Sequence, residues 1–281
     1  LLENYGKLYE LFVSQMLREG SPHDPMIGDY LVRRFGSDEL LNLSLDATQT
    51  SFSDFTKYEK EIESGLKFYK HHFPDSALPK SIVTFYSYFN SHAMVVENDI
   101  CIGLDMYLGE SNEAVQMLPV QSFPNYFKAK MDPKFLVPNA VKAWLLERFY
   151  TDMGDDLLGQ IIAAGKVLYM MDACFPEMTD DLKMGYSTEE LTWAQTNEVL
   201  VWQELVKDET LYKKDELTLV NWVDQGPFTK GLPEDSPAQM GIWMGWQMVR
   251  DYMRKNPDVT IQDLAIELNP KRILKHYDAE D

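Results

Sequence analysis

Leu157-Leu-Gly-Gln-Ile-Ile-Ala-Ala-Gly-Lys-Val-Leu-Tyr-Met-Met-Asp-Ala-Cys174 is the stretch whose reading decides the fold. It is apolar almost all round, with Gln160, Lys166 and Asp172 as its polar exceptions. A helix with apolar residues on every side belongs inside a packed body, not on its surface. Asp155 or Asp156 is placed to cap its start, and the helix is expected to end at Phe175.

Toward the C-terminus, Ser187-Thr-Glu-Glu190 is a capping box, which predicts a helix to about Lys207. Leu191, Ala194, Val201 and Leu205 form its apolar stripe, and Glu198 occupies the remaining stripe position. Ser236-Pro237 places Ser at an N-cap and Pro at the first helical position of a helix ending near Asn256-Pro257. Within it, Gly241-Ile-Trp-Met-Gly245 predicts a close approach by another element. Thr260 starts a short last helix.

Upstream, Pro138-Asn139 opens a helix ending near Tyr150. Residues 81–109 change character: Ser81 to Phe89 is β-branched and aromatic, as in a strand. Ala93 to Val96 and Ile100 to Leu104 flank Glu97-Asn-Asp99, a hairpin with Asn/Asp turn chemistry. Before that, Tyr5 to Arg18, a segment from Pro22 toward Phe35, and a helix from Asp54 to His72 all read as helical. The expected class is α+β, helix-dominant, with a small antiparallel sheet and helices on both sides of it in sequence. One domain is expected over 1–281, with a helical part (1–50), the small β region (81–109) and a helical core (138–277).

Hydrophobic residues make up 45% of the 281 and charged residues 25%, which excludes a disordered or fibrous chain. No apolar run reads as the ~18 residues of a membrane span. Lys and Arg number 26 against 45 Asp and Glu, a net charge of −19, the opposite of a nucleic-acid binder. Two cysteines, Cys101 and Cys174, exclude a disulfide scaffold, and both sit in apolar runs that predict buried thiols. The chain begins Leu1-Leu-Glu without Met, so any targeting segment is expected upstream.

No G-x-G-x-x-G, P-loop, G-x-S-x-G or H-E-x-x-H occurs. His71-His72 point about 100° apart on a helix and suit its C-terminal dipole better than a metal. The residues that could carry chemistry are therefore charged groups in apolar settings. Lys166 is either a lysine of depressed pKa or a buried ion-pair partner, with Glu198 or Asp172 as its counter-charge. Glu198 is either a general acid or a structural partner of Lys166 or Arg250. Asp105 and Glu147 complete the carboxylates that a hydrolase would draw on.

The second half resembles the gliding-motility lipoprotein GldB family of Bacteroidetes. The residues that carry the resemblance are Ile102-Gly-Leu-Asp-Met-Tyr-Leu-Gly109, Phe123-Pro-Asn-Tyr126, Gly165-Lys-Val-Leu-Tyr169, Gly185-Tyr-Ser-Thr-Glu-Glu-Leu-Thr-Trp193, Asn197-Glu198, Trp202, Gly226-Pro-Phe-Thr229, Ser236-Pro237, Gly241, and Gly245-Trp-Gln-Met-Val249 with Tyr252-Met253. In this order they span about 67 to 277.

The resemblance implies an exported lipoprotein, anchored in the outer membrane by a lipidated N-terminal Cys upstream of this chain and facing the periplasm. It implies service to gliding and the linked secretion apparatus, through cell-envelope proteins as partners. The family is also similar in plan to zincin peptidases, with Leu146-Glu-Arg-Phe-Tyr150 in the H-E-x-x-H slot. Glu147 would match the general base, Leu146 and Tyr150 would replace both histidines, and Ala164 would replace the third ligand. On that alignment the fold is a degenerate, zincin-like body. The expectation is a non-catalytic protein with no metal and no cofactor, the alternatives being a periplasmic hydrolase or a small-ligand-binding protein.

Overall fold

The computed structural model describes residues 2–279. The backbone falls into two compact units, Leu1–Glu63 with Ala77–Trp144, and Ser64–Ser76 with Leu145–Asp281.

The first unit opens with α1 (Leu2–Leu11), which runs on into a π-helical turn at Phe12–Met16, then α2 (Ile27–Ser37) and α3 (Glu39–Ser51). The predicted helix over 5–18 is thus present in part: the backbone leaves helical geometry at Gly6 (φ 35°) and the winding changes at Phe12. Helix α4 (Thr56–His72) follows, its start held by the Asp54 carboxylate accepting from the Thr56 N–H at 2.9 Å. Its residues are divided between the two units.

Strands β1 (Ile82–Phe85), β2 (Ala93–Val96) and β3 (Asp99–Gly103) make a sheet in the order β1-β3-β2. The β2–β3 hairpin turns at Glu97-Asn98, both at positive φ (52° and 78°), the conformation that favours Asn in a two-residue turn. The sheet is mixed, which corrects the expectation of an antiparallel one: β1 pairs with β3 in parallel. The reason lies in burial. Ile100, Cys101 and Ile102 are almost wholly covered, so β3 takes the centre and β1 adds to its free edge. Leu8 and Leu11 of α1 cover the face that carries Val83, Phe85, Met94, Val96 and Cys101.

A 3₁₀ turn (Leu104–Tyr107), the short helices α5 (Glu113–Gln116) and α6 (Asn125–Ala129), and α7 (Leu136–Phe149) follow. Helix α7 starts two residues before Pro138, which sits in its first turn where no N–H is needed.

The second unit is built on α8 (Leu157–Cys174), the decisive stretch. Asp156, not Asp155, caps it, accepting from the Gly159 N–H at 2.9 Å. By length and composition α8 could cross a bilayer, which corrects the reading that no stretch qualifies, but 72% of it is buried inside the protein. Next come α9 (Asp180–Met184), α10 (Thr188–Thr196), α11 (Glu198–Val206) and α12 (Glu216–Val223). The single helix predicted from Ser187 to Lys207 is broken at Asn197. Its side-chain amide donates to the Trp193 carbonyl at 2.9 Å and so competes with the helical ladder.

Helix α13 (Met240–Lys255) starts three residues later than Ser236-Pro237 predicted. The cap comes from a distant loop: the buried Thr229 hydroxyl donates to the Pro237 carbonyl (2.8 Å) and accepts from the Met240 N–H (3.1 Å). Two short helices close the chain, α14 (Ile261–Ile266), capped by Thr260, and α15 (Pro270–Leu274), which the sequence reading missed.

Helices α8 and α13 cross at two glycines. A Cβ on Gly165 would lie 2.3 Å from the Gly245 carbonyl carbon, and one on Gly245 would lie 1.9 Å from the Ile161 carbonyl oxygen. Gly241 lets the α12 backbone approach in the same way, at the Trp222 carbonyl oxygen. The close approach predicted from Gly241 and Gly245 is therefore present. Trp243, Trp246, Met244 and Met248 fill the core around it. Cys101 and Cys174 are free and buried, and burial pushes each thiol up to about 12.

Candidate functional site

Of the six residues singled out from the sequence, Asp172 and Arg250 come together. Asp172 lies in the last turn of α8 and Arg250 on α13, on either side of the close helix crossing. One Asp172 oxygen accepts from Arg250 Nη2 at 2.9 Å and from Lys183 Nζ at 2.8 Å. The other accepts from Arg250 Nε at 2.9 Å and from the Trp246 indole at 3.0 Å. Asp180, at the start of α9, takes both terminal nitrogens of Arg250 at 2.7 and 2.8 Å.

Trp246 and Arg250 are one turn apart, and the guanidinium stacks 3.7 Å from the indole centroid. Burial works against the Arg250 charge, but the bonds to Asp180 and Asp172 overcome it and hold the guanidinium above its ordinary range. Two carboxylates face two cations, so the cluster is neutral and every Asp172 lone-pair direction is engaged. The Lys183 side chain is 4% exposed and ion-paired with Asp172. Asp180, Lys183 and Trp246 were missed in the sequence; the i, i+4 spacing of Trp246 and Arg250 was the one local signal available.

A groove of 570 Å³ opens beside Asp172, lined also by His71, His72, Tyr169, Met253 and Gln262. His72 is held below its ordinary value by burial and by the neighbouring His71. Its carbonyl accepts from the Gln262 amide, which fixes the end of α4. Among the described residues no group of three or more His, Cys, Asp or Glu is arranged to hold a metal.

Lys166 is fully buried, as expected, but its partner is neither Glu198 nor Asp172. Its ammonium donates to the carbonyls of Ala265 (3.1 Å) and Glu267 (2.7 Å). These carbonyls lie at the C-terminus of α14, where the last C=O groups lack helical partners and the dipole is negative. Lysine there acts as a helix cap delivered from another helix. Burial lowers its pKa and the Glu267 charge partly restores it.

Glu198 is half-buried at the start of α11 and accepts from the Tyr277 hydroxyl at 2.8 Å. Burial holds it above the usual carboxylate range, with the Tyr277 bond pulling the other way. Tyr277 also packs edge-on against Trp202, so the pair docks the C-terminal segment onto α11.

Asp105 belongs to the first unit and is completely buried. It accepts from the Ser87 N–H (2.6 Å), the Ser87 hydroxyl (3.0 Å) and the Phe89 N–H. Tyr88 and Phe89 both have positive φ (57° and 55°), an uncommon conformation for aromatic residues. The carboxylate holds this strained turn in place from the end of β3. Gly103 makes the fit possible, because a Cβ there would meet the Ser91 carbonyl oxygen at 2.1 Å. Burial pushes Asp105 up to about 6 against those hydrogen bonds.

Glu147 and Leu146 (41%) are exposed on the last turn of α7, Tyr150 (51%) is exposed just past its end, and Ala164 is half-buried on α8. The structure thus disperses Lys166, Asp105 and Glu147 and joins Asp172 to Arg250, while Glu198 is hydrogen-bonded to Tyr277 and feels the Arg250 charge, which works against the effect of burial.

Neither a curated protein nor a solved structure matches the chain. A family model does, that described as gliding motility protein GldB, and it covers residues 1–278. With nearly every residue inside that match, the chain belongs to the gliding motility protein GldB family, a family of gliding-motility-related lipoproteins.

Proposed function

We propose that this protein is a non-catalytic lipoprotein of the outer membrane, facing the periplasm and serving gliding or the linked secretion apparatus through protein partners in the cell envelope. Membership of the GldB family supports the process and the compartment. The observation that carries the non-catalytic part is the state of Asp172: both oxygens are engaged by Arg250, Lys183 and Trp246. A general base must accept a proton, and a carboxylate held by four donors is poorly placed to do so. Lys166 and Glu198 are likewise engaged, on helix-terminal carbonyls and on Tyr277. On this reading the zincin-like plan is reused without its chemistry.

The test has two arms. In situ crosslinking of the lipidated full-length protein in outer-membrane fractions should yield a repeatable set of envelope proteins that an unlipidated form fails to capture. In parallel, zinc-soaked protein is assayed against a broad peptide library. Stoichiometric zinc with chelator-sensitive cleavage would overturn the non-catalytic reading.

A further inference from the structure

The 570 Å³ groove beside Asp172 is lined by nitrogen and sulfur donors: His71 and His72 from the end of α4, and Met253 from α13. All three belong to the second unit. Helical geometry sends the two histidines about 100° apart, but their side chains bring the rings together, with centroids 5.2 Å apart and planes at 75°. That separation has a chemical meaning. Two imidazoles on one metal ion, with metal–nitrogen bonds of about 2.0 Å and an angle of about 110–120°, have centroids about 5.1–5.4 Å apart.

The surroundings of His72 are those of a metal ligand. Its ring donates to the Ala173 carbonyl on α8, which orients the ring and leaves the second nitrogen with a lone pair. Its own carbonyl is held by the Gln262 amide, so the end of α4 is fixed against α14. Burial and the neighbouring His71 keep the ring neutral at pH 7, the form that binds a metal. His71 is exposed, so the pair is reached from solvent, and Met253 is half-buried in the groove wall.

The donors decide which ion fits. Hard dications require oxygen ligands, and the Asp172 carboxylate in the groove has both oxygens taken by Arg250, Lys183 and Trp246. What remains is imidazole and thioether, the set that selects a soft ion able to live with two or three ligands. Val259 and Ile261 make the wall apolar, and a single charge costs less to bury there than a double one. We propose that His71, His72 and Met253 form a binding site for a soft monovalent metal ion, Cu(I). This goes beyond the proposed function and stands whether or not that reading does.

The test supplies Cu(I) to the full chain from its bicinchoninate complex, in ascorbate under nitrogen. The protein should withdraw one ion per chain, and X-ray absorption at the copper edge should show imidazole nitrogen and one sulfur. His71→Ala, at an exposed position that tolerates truncation, should weaken binding at least about tenfold. Met253→Leu keeps the apolar volume and removes the sulfur; it should weaken binding by a similar factor and leave only nitrogen at the copper edge. The buried thiols of Cys101 and Cys174 are the rival soft ligands, and Cys101→Ala combined with Cys174→Ala should still take one ion. The proposal is overturned if the chain withdraws no copper, if His71→Ala and Met253→Leu bind as wild type does, or if the copper shell is sulfur alone and binding disappears with the two thiols.

Discussion

The two units settle buried charge in different ways. The second unit pairs it: Asp172 and Asp180 meet Arg250 and Lys183, and Lys166 finds the open carbonyls of α14. The first unit holds its own mainly on backbone groups: the Asp105 carboxylate accepts from the Ser87 and Phe89 N–H groups, and the Lys128 ammonium donates to the carbonyls of Gln116 and Leu118, while Lys142 has the like charge of Lys130 acting on it. A paired charge is part of a scaffold, because both ions then depend on the geometry that joins them. A charge held by backbone groups depends instead on the turn that presents them. The difference separates a unit joined by ion pairs between helices from one whose charges are held by its own turns.

The strongest way to break that contrast is to remove the hub of the paired cluster. Asp172→Ala strands Arg250 and the nearly buried Lys183, and should cost about 3–5 kcal/mol. The urea midpoint should fall with the m-value unchanged. A loss within the range of a surface substitution would place both cations in water and end the scaffold reading.

Packing makes the next test. Gly245→Ala drives a methyl into the Ile161 carbonyl where α8 and α13 cross, and backbone cannot yield as a side chain can. The expected loss is about 2–3 kcal/mol, after the gain in helix propensity is counted. Gly36→Ala on α2 in the first unit meets nothing within 4 Å and should instead stabilise by about 0.5–1 kcal/mol. Thermal unfolding of both variants, run side by side, checks the pair of signs.

A third test applies one substitution to a lysine in each unit. Lys166→Met leaves the partly buried carbonyls of Ala265 and Glu267 without their lysine donor and should destabilise by about 1–2 kcal/mol. The same change at Lys142 has the opposite expected sign. Equal signs would mean that the two lysines are in equivalent surroundings, and the contrast between the units would fall.

The sequence carried the helical body well because its signals are local. The all-round apolarity of 157–174, the Ser187 to Glu190 capping box and the small residues at 241 and 245 each act within a turn or two of helix. The Glu97-Asn98 hairpin was legible for the same reason. What failed depends on distant partners. The cap of α13 comes from Thr229, eleven residues before Met240, and the parallel pairing of β1 depends on which strand is best buried. Lys166 shows the same limit. Its burial was readable from the apolar helix around it, but its acceptors are backbone carbonyls about a hundred residues away, with no side-chain signature. The Asp172 and Arg250 pair joins α8 to α13 across 78 positions, and Lys142 on α7 is unremarkable in sequence because nothing local marks a lysine that lacks a partner.

The smallest effect is one that wild type should almost hide. Burial pushes His92 down to about 4, from an ordinary value near 6.5, so the unfolded chain binds more protons than the folded one between those values. Stability from His92 is complete above about 6.5 and is lost as pH falls toward 4. Asp105 runs the other way. Burial pushes it up to about 6 from 3.8, so the folded chain binds more protons in that window, and its contribution is complete below 3.8 and lost as pH rises through 6. The two slopes oppose each other over nearly the same range and largely cancel. Removing either group should expose the other. Measured against wild type in the same buffers, so that the remaining carboxylates drop out, His92→Gln should lose relative stability as pH rises from 4 to 6.5. Asp105→Asn should gain relative stability over that range, on top of a constant loss from the weakened Ser87–Phe89 turn. Parallel pH profiles for wild type and both variants would show that neither group changes its proton affinity on folding, and the dry setting assigned to His92 would be wrong.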